Sequence, residues 1–551
     1  MRHGYFETAV KLTRSIFRRD RLSIILWVVL LACFSAVLAP GIDSMFPDEA
    51  ARLTLAQIYD NPIMVSMMGP IFGVGQAEGF SSGAMYSGLI LLWVALAAAV
   101  MNIFFVVRHT RADEERGRAE VVRSLPVGRL AGLHAAMVSS VIVNAALALL
   151  TGVGIAAFGV PGMGLGGSVL YGAAIGATGL VYAAIAALFC QLSSSSSGAS
   201  ALSGIVLGIS YLLRAAGDVR GSHFIACLSP LGLAQRSQVY VKNYVWPIIT
   251  LLLLAAAISA AAYKLNTVRD LGQGFIAAKP GRAEAGRRMR SSLGLSWRLM
   301  RTALVSWVVV MFLLSGSYGT VIGDLPGFIG DSPDYLQIIG IPESLVNSMS
   351  DADKAGVIVT YFGAFIAMMM TLVGIVPVIT TAMRPRIEER EGRAEHVIAR
   401  AVPRRKYIGG YLLLAFSASV LIQFAVASGL YLVTNSLSEV RLFAFGDLVR
   451  AYAVYLPAIW VMIGLVTFLV GRFPKATGAA WGYFGFVAFT SFIGGMLDLP
   501  PWLNSLSLFH YIPRLPLEAF AAAPLIFLTV LAVILTSAGI LFYGRRDTLT
   551  A

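Results

Sequence analysis

Residues 114–120 have the sequence EERGRAE, and residues 389–395 have the sequence EREGRAE, 275 positions further along the chain. Other short matches follow in the same order at offsets of up to 280 positions; Arg269-Asp270, for example, corresponds to Arg546-Asp547. An ordered series of matches at a nearly constant offset indicates that the chain consists of two similar halves.

Both copies of this motif lie between long apolar runs. The AVILMFWYC residues make up 57% of the 551-residue chain and charged residues only 13%, about half the usual charged share of ~25%. This composition excludes soluble, disordered and disulfide-scaffold proteins and predicts a polytopic membrane protein. Three cysteines without a repeated spacing predict neither a disulfide framework nor a metal site.

Runs long enough to cross a bilayer need about 17–25 apolar residues. Twelve such spans are predicted, at residues 22–41, 84–107, 131–158, 167–190, 199–215, 244–263, 302–322, 356–382, 407–434, 448–471, 477–495 and 522–543.

Basic residues are distributed unevenly along these spans. Of the 42 Lys and Arg residues, 33 lie on the side of the N-terminus. The positive-inside rule therefore predicts that both termini are cytoplasmic in a bacterial cytoplasmic membrane. The net charge of +13 then needs no nucleic-acid partner.

Six spans in each half give the two halves the same orientation, as in a parallel repeat. The predicted fold is an all-α polytopic membrane protein with about 12 transmembrane helices in two six-helix repeats. The first half covers residues 1–275, with an N-terminal amphipathic helix and a loop at 108–130. A cytoplasmic linker with an amphipathic helix covers 276–300, and the second half covers 301–551 with a loop at 384–406.

Motifs for chemistry are missing from the sequence. It has no GxxxxGK[ST] loop for ATP, no HExxH and no CxxC. The span interiors contain essentially no Asp or Glu, although ion-coupled transporters generally use such groups. A membrane enzyme is therefore disfavoured, and the energy for transport is expected to come from a partner outside the membrane.

The repeated motif is the expected point of entry for that energy. Gly117 favours a helix break, residues 118–125 can form a short helix, and Pro126 ends it. The spacing of four residues predicts pairs between Glu114 and Arg118, and between Arg116 and Glu120.

The second copy keeps this spacing between Glu389 and Arg393. Because the positive-inside rule does not require carboxylates, two such copies indicate two contacts with a symmetric partner.

With these motifs, the chain resembles the membrane subunits of ABC type-2 exporters, in particular the double-length permeases described as polyketide-antibiotic or multidrug exporters. The resemblance rests on the two motifs, on Leu228-Ser229-Pro230 near the sixth span, and on the terminal Arg545-Arg546-Asp547. It covers nearly the whole chain.

The resemblance implies an ABC type-2 permease fold and a dimer of a separately encoded ATPase subunit, which would hold ATP and Mg, so that this chain itself binds no cofactor. In that family the loop after the second span carries a coupling helix that docks on the ATPase. The docking residues implied here are Glu114, Glu115, Gly117, Arg118, Ala119, Glu120 and Pro126 in the first half, and Glu389, Gly392, Arg393, Ala394, Glu395 and Pro403 in the second. The second copy has two extra residues before its proline, so the two dockings are expected to be unequal.

The resemblance also implies that the second and fifth spans of each half line the transport path. The matching residues are Tyr86, Trp93, Asn102 and Tyr211, then Tyr361, Met368, Trp481 and Tyr483. Aromatic and Met side chains suit an apolar or amphipathic substrate. The alternative is an ion-coupled transporter of the major-facilitator type, which also has six plus six spans and a central linker.

Overall fold

Helices account for every regular element in the described part of the chain, as predicted for an all-α membrane protein. The structure is a computed structural model that describes residues 4–59, 62–75, 80–270, 272–276, 286, 291–329, 351–400, 402–437, 443–493, 500–515 and 517–546. Most of the predicted linker 276–300 and parts of the outer segments 42–83 and 323–355 lie outside these residues.

The chain divides into two compact units, residues 1–281 and 282–551. The helices of the first unit are α1 (Ala9–Met45), α2 (Glu49–Tyr59), α3 (Pro62–Met68), α4 (Ser82–His109), α5 (Arg111–Glu115), α6 (Arg118–Arg123), α7 (Ala131–Ala157), α8 (Leu165–Leu192), α9 (Ser196–Val219), α10 (His223–Cys227), α11 (Pro230–Arg236) and α12 (Trp246–Val268).

The second unit repeats the long helices of the first. Its helices are α13 (Ser292–Ile329), α14 (Asp351–Arg390), α15 (Arg393–Ile398), α16 (Arg404–Leu437), α17 (Phe445–Ala453), α18 (Leu456–Arg472), α19 (Ala479–Ile493), α20 (Pro501–Ser505) and α21 (Ala522–Arg545), with a 3₁₀ turn at Leu508–Tyr511.

Eleven helices in the described residues are long and apolar enough to cross a membrane. They match all the predicted spans except the one at 477–495. That span corresponds to α19, which has 15 residues up to Ile493, where the described part of this stretch ends. The prediction of a polytopic all-α membrane protein is therefore confirmed.

Among the long apolar helices of the first unit, α8 is the most enclosed, and it packs against α4, α7 and α12. Small residues allow this close packing, as is common between membrane helices. A Cβ added at Gly172 would lie 2.0 Å from the carbonyl oxygen of Ala148 on α7. The second unit also packs helices closely through glycine, because a Cβ at Gly471 on α18 would lie 2.3 Å from the Gly539 oxygen on α21.

The first helix bends at Asp20, whose backbone leaves the helical region. Its carboxylate is buried and contacts Arg108 at 2.6 Å and His109 at 2.9 Å, at the end of α4. The bend separates the first span from the basic segment that precedes it. The sequence predicts that this basic segment is an interfacial helix.

The short helix α3 follows α2, and side chains of other helices donate hydrogen bonds to the backbone carbonyls at its C-terminal end. Arg214 on α9 is fully buried and donates to the Ser66 oxygen at 2.7 Å. Gln235 on α11 donates to the Met68 oxygen at 2.6 Å. Because unsatisfied carbonyls are costly in an apolar environment, these two side chains fix α3 against α9, the fifth span, and against α11.

Candidate functional site

Each copy of the repeated motif forms a bend between two helices. Gly117 and Gly392 have φ angles of +70° and +72° and stand just before α6 and α15. This left-handed conformation is comfortable for glycine and strained for other residues, which confirms the predicted break. We call residues 111–126 the first elbow and residues 386–403 the second elbow. The helix α6 ends at Arg123, two residues before the predicted end.

The first glutamate of the motif, Glu114, forms ion pairs with arginines of its own unit. Glu114 accepts hydrogen bonds from Arg111 at 2.7 Å and from Arg269 at 2.9 Å. The side chains of the two arginines are 1% and 4% exposed. Arg269 lies directly after α12, so this ion pair joins the elbow to the end of the sixth span.

The second elbow repeats the arrangement. Glu389 accepts from Arg546 at 2.7 and 2.6 Å and lies 3.5 Å from Arg386. Arg546 lies directly after α21, in the position that corresponds to Arg269. The three residues Arg111, Glu114 and Arg269 are called the first clamp, and Arg386, Glu389 and Arg546 the second clamp.

Each clamp also holds the turn between the fourth and fifth spans. Arg111 donates to the Ser194 oxygen at 2.5 Å and to the Gly272 oxygen at 2.7 Å. Arg386 donates to the Pro474 oxygen, in the corresponding turn, at 3.1 Å. A clamp therefore fixes three chain segments at one point: the elbow, the turn before the fifth span and the end of the sixth span.

The predicted pairs within the motif are wrong. Arg118 contacts Asp113 at 3.3 Å rather than Glu114, and Arg393 contacts Glu388 at 2.6 Å rather than Glu389. The bend at the glycine is the reason, because residues four apart share a face only within one continuous helix.

The third predicted pair, between Arg116 and Glu120, is also wrong. No ion pair joins Arg116 to Glu120 in the part of the chain that the structure describes. The hydrogen bond to Glu388 raises the pKa of Arg393, so the side chain that begins α15 stays charged.

The remaining motif residues divide into buried and exposed positions. Glu115 accepts from the backbone N–H of Ser196 at 2.8 Å and also from its hydroxyl, which ties the elbow to the start of α9. Ala119 is half-buried and Ala394 is buried.

The exposed face of the first elbow carries Arg118, Glu120 and Pro126, together with Val121 and Leu125, which are 71% and 62% exposed. The exposed face of the second elbow carries Arg393, Glu395, His396, Arg400 and Pro403. In the aligned positions, Val121 corresponds to His396 and Leu125 to Arg400. The two faces share a Gly-Arg-Ala-Glu core but differ beside it, since the first is more apolar and the second more polar.

Among the predicted path residues of the first unit, three are held by partners inside that unit. The hydroxyl of Tyr86 donates to the Ser35 oxygen at 2.8 Å, and the hydroxyl of Tyr211 donates to the Met67 oxygen at 2.8 Å. Asn102 exchanges hydrogen bonds of 3.0 and 2.7 Å with Asn144 on α7. Trp93 is 41% exposed.

The Asn102 amide is 1% exposed, and a Cβ at Gly179 on α8 would lie 2.6 Å from its nitrogen. This reciprocal amide pair is a typical way to fix two membrane helices together. The geometry therefore favours a packing role for Asn102.

The predicted path residues of the second unit are less enclosed. Tyr361 is half-buried, and Met368 packs against the core of the unit. Trp481 is 36% exposed and contacts Phe484 edge-on. The hydroxyl of Tyr483 donates to the Leu506 oxygen at 2.9 Å.

Sequence reasoning missed Arg111, Arg386, Asp113 and Glu388. The signal was present, because the repeat extends upstream of the quoted motif: residues 111–114 read RADE and residues 386–389 read RIEE. Within the described residues, no group of three His, Cys, Asp or Glu side chains could hold a metal ion.

Comparison with known proteins places these observations in a family. The family described as "Multidrug efflux system permease Rv1217c, C-terminal domain" matches residues 15–264 and residues 289–544, one stretch in each half. A relative from Mycobacterium tuberculosis (strain ATCC 25618 / H37Rv), the "Multidrug efflux system permease protein Rv1217c", is 34% identical over 559 aligned positions, covering 98% of this chain and 95% of the relative. The chain therefore belongs to the Rv1217c family of multidrug efflux system permeases, in agreement with the resemblance to double-length permeases found in its sequence.

Proposed function

We propose that this chain is the membrane-spanning permease subunit of an ATP-driven ABC exporter. It moves an apolar or amphipathic compound out across the cytoplasmic membrane, and a separately encoded ATPase subunit supplies the ATP hydrolysis and holds ATP and Mg. The observation that carries this proposal is the pair of elbows, each built on the same three-residue clamp and each presenting a short exposed helix.

Two elbows of one design suit a partner with twofold symmetry. We propose that each elbow contacts one copy of the ATPase through its exposed residues: Arg118, Glu120 and Pro126 in the first elbow, and Arg393, Glu395 and Pro403 in the second. Glu115 lies at the edge of the first contact.

The other motif residues position these contacts. Glu114 and Glu389 are assigned to the clamps, which hold the elbows, because their carboxylates already bind arginines of their own unit. Gly117 and Gly392 set the bend, and the alanines that follow pack beneath the short helices.

The clamps connect each elbow to membrane spans, so that movement of an elbow is transmitted to those spans. An elbow that is joined to the end of the sixth span and to the turn before the fifth span moves with them as one body. Because each unit has its own clamp, each elbow can transmit movement to the spans of its own unit, as alternating access requires.

In the proposed arrangement, the elbows, both termini and most of the basic residues lie in the cytoplasm. The name of the M. tuberculosis relative states multidrug efflux, and the proposed substrate class follows from it and from the aromatic and Met residues assigned to the path. Of these, Trp93, Tyr361, Met368 and Trp481 remain the best candidates, because the other four side chains are hydrogen-bonded within their units.

The energy source is tested in inverted membrane vesicles that contain the chain and its ATPase. With an apolar fluorescent dye as the probe, we expect accumulation that requires ATP and persists when a protonophore removes the proton gradient. Vesicles with a non-hydrolysable ATP analogue are the control and should not accumulate dye. Accumulation driven by a proton gradient without ATP would overturn the proposal.

A further inference from the structure

A cavity of about 160 Å³ lies in the first unit where α1, the first elbow and α7 meet. Leu12 and Ile16 of α1, Val122 of α6 and Leu133 of α7 line one part of it. It lies beside the basic segment of α1 that precedes the bend at Asp20, where the first span begins. The cavity is therefore at the level where the membrane boundary is expected, and it offers an apolar wall to a ligand.

Other residues of the lining are cationic. Arg123 and Arg129 both line the cavity, and no carboxylate lies within ion-pair distance of either among the described residues. Arg123 donates to the backbone oxygen of Arg129 at 3.4 Å, and Arg129 donates to the backbone oxygen of Arg269 at 3.1 Å. Burial lowers the pKa of Arg123, and the positive charges of Arg129 and Arg269 lower it further, partly opposed by Glu114.

The two carboxylates at the cavity are already shared. Asp113 binds Arg19 at 3.0 Å and Arg118 at 3.3 Å, and Glu114 binds the two arginines of the first clamp. Four arginines, Arg19, Arg118, Arg123 and Arg129, line the cavity with these two carboxylates, which leaves an excess of two positive charges in its lining. Guanidinium groups bind phosphate oxygens in a planar, bidentate geometry that suits such a site.

We propose that this cavity binds the phosphate of an anionic phospholipid from the cytoplasmic leaflet, between Arg123 and Arg129, with the start of an acyl chain along Leu12 and Ile16. The combination of a cationic and an apolar wall at the membrane boundary is the observation that points to a lipid rather than a soluble anion. The choice of leaflet rests on the sidedness in the proposed function. A lipid in this position contacts α1 and α6 together and braces the first elbow.

Native mass spectrometry of the purified full-length chain tests the site. The probes are phosphatidylglycerol, phosphatidylcholine and glycerol 3-phosphate, which carries the phosphate without acyl chains. We expect phosphatidylglycerol to bind best and Arg123→Gln with Arg129→Gln to weaken its binding roughly tenfold or more, because both guanidinium groups proposed to bind the phosphate are lost. The charge-retaining pair Arg123→Lys with Arg129→Lys should bind better than the glutamine pair.

The matched control is Arg14→Gln with Arg18→Gln, which removes two exposed charges from the same basic segment but outside the cavity. It should change binding less than twofold, since it leaves the cavity intact. An equal loss of phosphatidylglycerol binding in this control would show a diffuse effect of surface charge and overturn the proposal. The proposal would also be overturned if Arg123→Lys with Arg129→Lys bound phosphatidylglycerol as poorly as the glutamine pair. Equal binding of glycerol 3-phosphate would show a site for a free phosphate and overturn the lipid assignment. These outcomes do not depend on ATP-driven transport, so the site and the proposed function can fail separately.

Discussion

Reversing the exposed glutamate of each elbow, with Glu120→Arg and Glu395→Arg in one chain, should abolish drug efflux while the protein still inserts into the membrane. Both side chains are exposed, and neither has an ion-pair partner among the described residues. Their substitution therefore leaves the fold of each unit intact. Placing two like charges against a partner's docking cleft costs several kcal/mol per contact, so we expect transport to fall by about a hundredfold or more.

The measurement is ATP-driven dye accumulation in inverted vesicles, normalised to the amount of inserted chain. Asp447→Arg is a suitable control, because it reverses an exposed carboxylate at the opposite end of the spans. This control should transport normally. Unchanged efflux in the variant that carries both Glu120→Arg and Glu395→Arg would overturn the docking assignment.

Removing the carboxylate of the first clamp should destabilise the protein more than any other neutralisation in the elbows. In Glu114→Gln, the guanidinium groups of Arg111 and Arg269 lose their shared counter-charge, and their side chains are 1% and 4% exposed. An uncompensated buried charge costs about 3–5 kcal/mol. The corresponding Glu389→Gln leaves Arg386 and Arg546 unpaired at 14% and 19% exposure, where water screens the repulsion, so its cost should be smaller.

Thermal unfolding of the purified chain measures this ranking. We expect Glu114→Gln to lower the midpoint temperature of thermal unfolding of its unit by roughly 5–10 °C. Glu389→Gln should lower the midpoint of its own unit by less. Glu120→Gln, which removes an exposed carboxylate from the same elbow as Glu114, should hardly change it. Arg269→Gln should also cost less than Glu114→Gln, because Glu114 keeps Arg111 as a partner. A reversed order, or no shift in any variant, would contradict the role given to the clamps.

The sequence is sufficient to predict the helical class and eleven of the twelve spans. Apolar length and an ordered internal repeat are properties of the chain itself, and both remain visible without coordinates. The bends at Gly117 and Gly392 were predictable for the same reason, since glycine before a charged helical stretch is a local signal.

The partners of the charged residues were not predictable from local spacing. Glu114 pairs with Arg269, which lies 155 residues away, and only the packing of the sixth span beside the elbow brings the two together. The amide pair of Asn102 and Asn144 is a similar case, because a polar residue in a span looks the same in sequence whether it lines a path or bonds to a neighbouring helix. The sequence signal for the clamps is that both members of each ion pair recur in the repeat. Glu114 corresponds to Glu389, and Arg269 corresponds to Arg546.

Cysteine cross-linking from the two elbows tests whether each elbow contacts the ATPase subunit. In a chain whose three native cysteines, Cys33, Cys190 and Cys227, are replaced by alanine, single cysteines are placed at exposed Ser124 and Ala399. Native membranes are then treated with a short bifunctional reagent. Exposed Ser505, at the opposite end of the spans, is the control position.

We expect an adduct with the same ATPase subunit from each elbow, two adducts in the chain that carries both cysteines, and none from position 505. Failure of both elbow positions to cross-link to an ATPase that co-purifies with the chain would contradict this expectation.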